Sequence, residues 1–130
     1  MHKGFLLIST ILGALSVILG AFGAHGLKKI VSEDVIPTFE TAVRYQFYHV
    51  FALLAVAILY EKFSSKYLVY AGNSFLLGIL LFSGSLYLIT LLKATNTVGL
   101  KGIGIITPIG GLFFVAGWIL LAIGIMQSSK

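Results

Sequence analysis

The chain has 130 residues, of which 58% are hydrophobic and only 10% are charged, and its formal net charge is +5. An ordinary soluble domain is about half apolar and about a quarter charged, so this composition excludes a soluble globular domain and a disordered chain. The basic residues are scattered between long apolar runs, which excludes the basic patch of a nucleic-acid-binding protein. The absence of cysteine excludes disulfides and thiolate chemistry.

Four apolar runs are each long enough to cross a bilayer, whose hydrocarbon core of about 30 Å requires roughly 20 helical residues. None of them alternates apolar and polar residues as the strands of a membrane barrel do. The sequence therefore predicts an all-α integral membrane protein, a four-transmembrane-helix bundle with antiparallel up-down-up-down topology. It predicts a single membrane domain over residues 1–130, with helices at about 5–25, 38–60, 68–92 and 103–126.

The first run has an alternative interpretation as a cleaved signal peptide, because Lys3 precedes it and small residues occur at its end, in 21–24. Its apolar stretch of nearly 20 residues exceeds the roughly 7–15 of a signal peptide, which favours a retained helix. Lysines are divided almost evenly between the two membrane sides of the predicted topology. The positive-inside rule needs an imbalance, so it assigns no orientation here.

Small residues recur on one face of three predicted helices. Bilayer helices associate through close contact at small residues, so we interpret these stripes as helix-packing faces rather than as a substrate groove. The predicted packing positions are Ser9, Gly13, Ser16 and Gly20 in the first helix, Gly78 in the third, and Gly110, Gly117 and Gly124 in the fourth.

Polar side chains collect at one membrane surface, where the up-down topology brings together the end or start of all four helices. An ionisable residue at membrane depth normally faces a partner or a cavity. For Arg44 the expected partner is Glu40, one helical turn earlier. The predicted polar cluster is His25, Glu40, Arg44, Tyr45, Gln46, His49, Ser83, Ser85 and Thr107.

His49 lies deeper in the second predicted helix, and its expected partners are Gln46 and Tyr45 on the same helix or His25 across the hairpin. The cluster has two interpretations: a clamp that holds the first two helices in register, or a binding or proton-handling site. Ligation of a metal or haem by His25 and His49 is disfavoured, because metal sites usually have three or more protein ligands. We expect no cofactor and no metal.

Five short segments together resemble a known family of small membrane proteins. They are GAFGAHGL at 20–27, FETAVRYQFYH at 39–49, FSGSLY at 82–87, ITPIGG at 106–111 and GW at 117–118. The family is filed as domain of unknown function 423 and is related to eukaryotic transmembrane protein 256. The resemblance covers about residues 3–126. It implies a four-helix protein of the bacterial inner membrane and implies no reaction.

We therefore expect a non-enzymatic scaffold or accessory subunit that uses its small-residue helix faces for packing or assembly. Its expected partners are membrane lipids and either further copies of itself or a larger membrane complex, but no nucleic acid. The alternative is a small transporter, channel, or lipid- or anion-binding protein with a polar site built on Arg44, Gln46 and His49. Serine hydrolysis is disfavoured because Ser83 and Ser85 lack the context of a nucleophile elbow.

Overall fold

Helices account for most of the computed structural model, which describes residues 1–96 and 101–127. A π-helical segment, Ile79–Ser83, joins the third helix to the fourth, so that the two form one long span, Lys66–Ala94. We call this unit the third span. The α-helices are α1 (Lys3–Ala24), α2 (Ile36–Leu59), α3 (Lys66–Gly78), α4 (Gly84–Ala94) and α5 (Lys101–Gln127).

Four helical units of the described chain are long and apolar enough to cross a membrane, and the described ranges contain no strand. The predicted all-α, four-span architecture is confirmed. The unit that contains α2 has the lowest mean hydropathy, 1.5, yet half of the residues in its most apolar 18-residue segment are buried. The unit that contains α1 has a mean hydropathy of 2.4, and only 17% of the corresponding 18-residue segment is buried. The most polar span therefore lies at the centre, where its polar groups have protein neighbours.

α2 and the third span form a central pair, and α1 and α5 pack on opposite sides of it. On one side, the ring of Phe5 in α1 lies against Gly72 in α3. On the other, His49 of α2 stacks on Phe114 of α5. α1 and α5 share no extensive contact within the described residues.

The predicted small-residue stripe of α1 faces α2. A Cβ atom added to Gly13 would lie 3.7 Å from Val50, and one added to Gly20 would lie 3.6 Å from Val43. Ser9 and Ser16, on the same stripe, are buried. The stripe is thus occupied inside the bundle and is not a free surface for assembly.

Three glycines of α5 face the third span at seven-residue intervals. The residues of the third span that lie opposite them recur at the same interval in the reverse direction. Each glycine makes room for its neighbour, since an added Cβ would collide with it. At one further position the roles are reversed, because a glycine of the third span, Gly78 of α3, makes room for the ring of Phe114 of α5. The facing pairs are Gly110 with the backbone of Phe82, Gly117 with the ring of Phe75, and Gly124 with Leu68.

Candidate functional site

Gln46 is the centre of a buried hydrogen-bond network that links three helices. Its side chain is only 1% exposed. The amide nitrogen donates to Ser16 Oγ at 2.8 Å and to the carbonyl oxygen of Leu12 at 3.3 Å, both in α1. The amide oxygen accepts a hydrogen bond of 2.6 Å from the hydroxyl of Tyr87 in α4. Because a buried amide is costly unless it is hydrogen-bonded, these partners fix α1 and α4 against α2.

His49 is buried one turn further along α2 and uses both ring nitrogens. Nε2 lies 3.1 Å from the indole Nε1 of Trp118, which can only donate, so Nε2 is the acceptor. Nδ1 lies 2.8 Å from the carbonyl oxygen of Tyr45 and therefore carries the proton. The ring also stacks on Phe114, with centroids 3.6 Å apart and planes 9° apart. This geometry assigns a neutral imidazole with no nitrogen free for a ligand.

Two serines anchor the region around the π segment. The hydroxyl of Ser83 is fully buried and donates to the carbonyl oxygen of Ala42 in α2 at 2.7 Å. Ser85 forms a short hydrogen bond with Thr107 of α5. Ser85 also donates to the carbonyl oxygen of Phe82 at 2.9 Å. Both hydroxyls thus hold the third span to its neighbours.

Glu40 and Arg44 are exposed on another face of α2. With Gly20, Gly23 and other residues they line a hollow of about 210 Å³ between α1 and α2. Among the described residues, no hydrogen bond or ion pair joins the two side chains. The predicted ion pair between Arg44 and Glu40 is therefore wrong. Both charged side chains are exposed on the outside of the bundle.

The predicted contact of His49 with Gln46 or His25 is also wrong, although the backbone of Tyr45 is a partner. Gln46 and His49 are three residues apart and neighbours on the helix surface, but their side chains bond to different helices. Gln46 therefore meets α1 and α4, whereas His49 meets α5. His25 is exposed at the end of α1, where its Nδ1 lies 3.1 Å from the carbonyl oxygen of Ala21.

The predicted cluster is thus several separate groups rather than one site. Arg44 does not share a site with Gln46 and His49. Within the described residues, no three histidine or carboxylate side chains lie close enough together to hold a metal ion. Sequence reasoning missed Tyr87 and Trp118 as partners. The phenol hydroxyl and the indole N–H could have indicated these contacts, because a polar group within a membrane span needs a hydrogen-bond partner.

The helices and their bonded polar groups define a small multi-pass integral membrane protein. Its sequence matches, over residues 19–111, the family described as protein of unknown function DUF423, and the chain belongs to this family. The resemblance drawn from the short segments is confirmed.

Curated relatives span nearly the whole chain. A UPF0382 membrane protein of Haemophilus influenzae is 40% identical over 130 residues, which cover 100% of this chain and 99% of the relative. A relative from Staphylococcus haemolyticus, UPF0382 membrane protein SH2409, is 39% identical over 121 residues, 93% of each chain.

The relative from Escherichia coli, UPF0382 inner membrane protein YgdD, is 34% identical over 131 residues, which cover 100% of this chain and 95% of the relative. No solved structure matches the chain. With the four apolar spans, these relatives confirm the predicted location in the bacterial inner membrane.

Proposed function

We propose that this chain is a non-enzymatic membrane protein that acts as a scaffold or accessory subunit. One observation carries the proposal: the buried polar side chains of the described residues are hydrogen-bonded to other side chains or to backbone carbonyl oxygens, with one exception. Among the described residues, the only buried side-chain polar atom without a hydrogen-bond partner is the hydroxyl of Ser65, which precedes α3. A catalytic or transport site needs polar groups that are available to its substrate, whereas these groups are engaged in holding helices together.

The interior at the level of His49 supports the same conclusion. Phe75 is fully buried and lies 5.1 Å, between ring centroids, from Trp118. His49 contacts Phe75 and Trp118 as well as Phe114. These rings form a closely packed aromatic layer between α2, α3 and α5, which suits a structural role better than a conducting one.

The outer surfaces of α1 and α5 are where a partner would bind. Both are apolar and broadly exposed: Ile11 is 60% exposed on α1, and Leu112 is 69% exposed on α5. In the proposed role, one of these faces packs against a second copy of the chain or against another subunit of a membrane complex, and lipid covers the other.

Site-directed crosslinking tests this proposal, because the chain has no cysteine of its own. Ile11→Cys and Leu112→Cys place a thiol on each outer face, and Leu53→Cys, at a fully buried position of α2, is the matched control. We expect one outer variant to give a discrete crosslinked product in native membranes, identified by mass spectrometry, and the control to give none. Failure of both outer variants, together with a monomer without protein partners after gentle detergent extraction, would overturn the scaffold role.

A further inference from the structure

The two charged residues of α2 need partners that the described protein does not provide. Glu40 and Arg44 are exposed and make no hydrogen bond or ion pair with another described residue. A charged side chain within a membrane span is costly unless it is paired. The two side chains are therefore available to pair with a positive group and a negative group supplied by the surrounding membrane.

Both side chains border the hollow between α1 and α2. Its walls include Gly20 and Gly23 of α1, and its volume of about 210 Å³ is below that of a typical pocket for a drug-sized molecule, about 300–1,000 Å³. A Cβ on Gly23 would lie 2.9 Å from the ring of Phe39, so this position has little room for a larger residue. The hollow is small enough to suit a headgroup rather than a whole lipid.

The depth of the two charges matches the order of groups in a phospholipid. α2 has 24 residues, a few more than the roughly 20 that a bilayer core requires. Glu40 therefore lies near the membrane surface, and Arg44 lies about 6 Å deeper by the helical rise. Helical side chains lean toward the N-terminus of their helix, which here is this surface, so the guanidinium of Arg44 can reach the phosphate level. In an amine-bearing phospholipid, the ammonium group extends outward beyond the phosphate.

We propose that this hollow binds the headgroup of a phospholipid with a primary ammonium group, of the phosphatidylethanolamine type. Its phosphate accepts hydrogen bonds from the guanidinium of Arg44, and its ammonium donates to the carboxylate of Glu40. Charge-assisted bonds of this kind are stronger than neutral ones, and the planar guanidinium suits two phosphate oxygens at once. The inference goes beyond the scaffold role and does not depend on it.

Other common headgroups fit the two charges less well. An anionic phospholipid without an amine satisfies Arg44 but leaves Glu40 unpaired beside added negative charge. A choline headgroup carries a methylated ammonium that cannot donate a hydrogen bond to Glu40. The carboxylate thus selects the amine, and the guanidinium supplies phosphate affinity common to all three lipids.

The test is lipid-dependent thermal stabilisation of the purified full chain in mild detergent, titrated with dioleoyl phosphatidylethanolamine, phosphatidylcholine or phosphatidylglycerol. We expect phosphatidylethanolamine to bind roughly tenfold more tightly than phosphatidylcholine, which corresponds to about 1.4 kcal/mol. Arg44→Gln should weaken binding of all three lipids. Glu40→Gln should abolish the preference for the ethanolamine headgroup over choline. Lys62→Gln, an exposed charge beyond the other end of α2, is the matched control and should change nothing.

Three results would overturn the proposal: equal stabilisation of the unaltered protein by all three lipids, tighter binding of phosphatidylglycerol than of phosphatidylethanolamine, or unchanged binding in Arg44→Gln. If Arg44→Gln does not fold, Arg44→Lys keeps the charge but loses the planar guanidinium. Native mass spectrometry should then show less retained phosphatidylethanolamine for Arg44→Lys than for the unaltered chain. Equal retention would count against the site.

Discussion

α1 and α5 pack on opposite sides of the same central helix pair, but they are attached in different ways. α5 fits the third span sterically, with three glycines at seven-residue intervals that face the backbone of Phe82, the ring of Phe75 and the side chain of Leu68. α1 meets α2 more loosely in the middle of its stripe, where added Cβ atoms at Gly13 and Gly20 would make ordinary van der Waals contacts. α1 is close-packed only nearer its ends, at Gly23 against Phe39 and at Phe5 against Gly72 of α3. The buried amide of Gln46 adds hydrogen bonds to the interface between α1 and α2.

The difference shows two solutions to the same problem. Lipid tails are as apolar as leucine, so helices in a bilayer need close packing or hydrogen bonds to associate. The interface of α5 has hydrogen bonds to Ser85 and His49 as well, but its glycine positions leave no space for an added side chain, so it should be intolerant of added volume at those positions. The interface of α1 relies partly on Gln46, and it should tolerate added volume at Gly13 and Gly20 but not the loss of its polar groups.

The largest effect is expected from Gly110→Ala in α5. An added methyl group would collide with the backbone of Phe82, which cannot move aside as a flexible side chain can. Overpacking of this kind typically costs about 1–3 kcal/mol. We expect a clear fall in the thermal unfolding temperature in detergent.

Gly104→Ala is the matched control for this prediction, because an alanine Cβ at that position of α5 would have no heavy atom within 4 Å. It should be neutral or slightly stabilising, since alanine favours helix over glycine by roughly 1 kcal/mol. Similar unfolding temperatures for the two variants would show that the third span does not hold α5 closely.

A smaller effect is expected from Trp118→Phe, which keeps an aromatic ring but removes the hydrogen bond to His49. Hydrogen bonds between membrane helices average about 0.6 kcal/mol, and we expect a loss of that order. His49→Ala should cost more, because it also removes the stack on Phe114.

The separation of His49 from His25 can be measured in the same assay. His25→Ala should have almost no effect, since the side chain is exposed, and its effect should add to that of His49→Ala. A strong interaction between these two substitutions would mean that the histidines share a network after all.

A similarly small effect is expected from Gly13→Ala in α1. The added Cβ would lie 3.7 Å from Val50, an ordinary contact. We expect a change in stability within about 0.5 kcal/mol, the range of substitutions that disturb no special feature. A loss as large as that of Gly110→Ala would remove the distinction between the two interfaces.

Much of the fold was predictable from the sequence, because apolar length defines spans and small residues mark packing faces. The predicted stripes of α1 and α5 do lie against neighbouring helices. The polar partners were less predictable. Helical periodicity indicates which residues share a face, but the rotation of each helix against distant segments decides that Gln46 meets Tyr87 and that His49 meets Trp118.

The central claim is that the buried polar groups are a structural clamp, and a double-mutant cycle of Gln46→Leu with Tyr87→Phe tests it most directly. The amide oxygen and the phenol are 2.6 Å apart, so each substitution removes the same hydrogen bond. We predict that the two losses of unfolding free energy are non-additive by about 0.6–1.7 kcal/mol, between the average and the largest value for hydrogen bonds between membrane helices. Losses that add within about 0.3 kcal/mol, or a protein whose stability is unchanged by Gln46→Leu, would contradict the clamp.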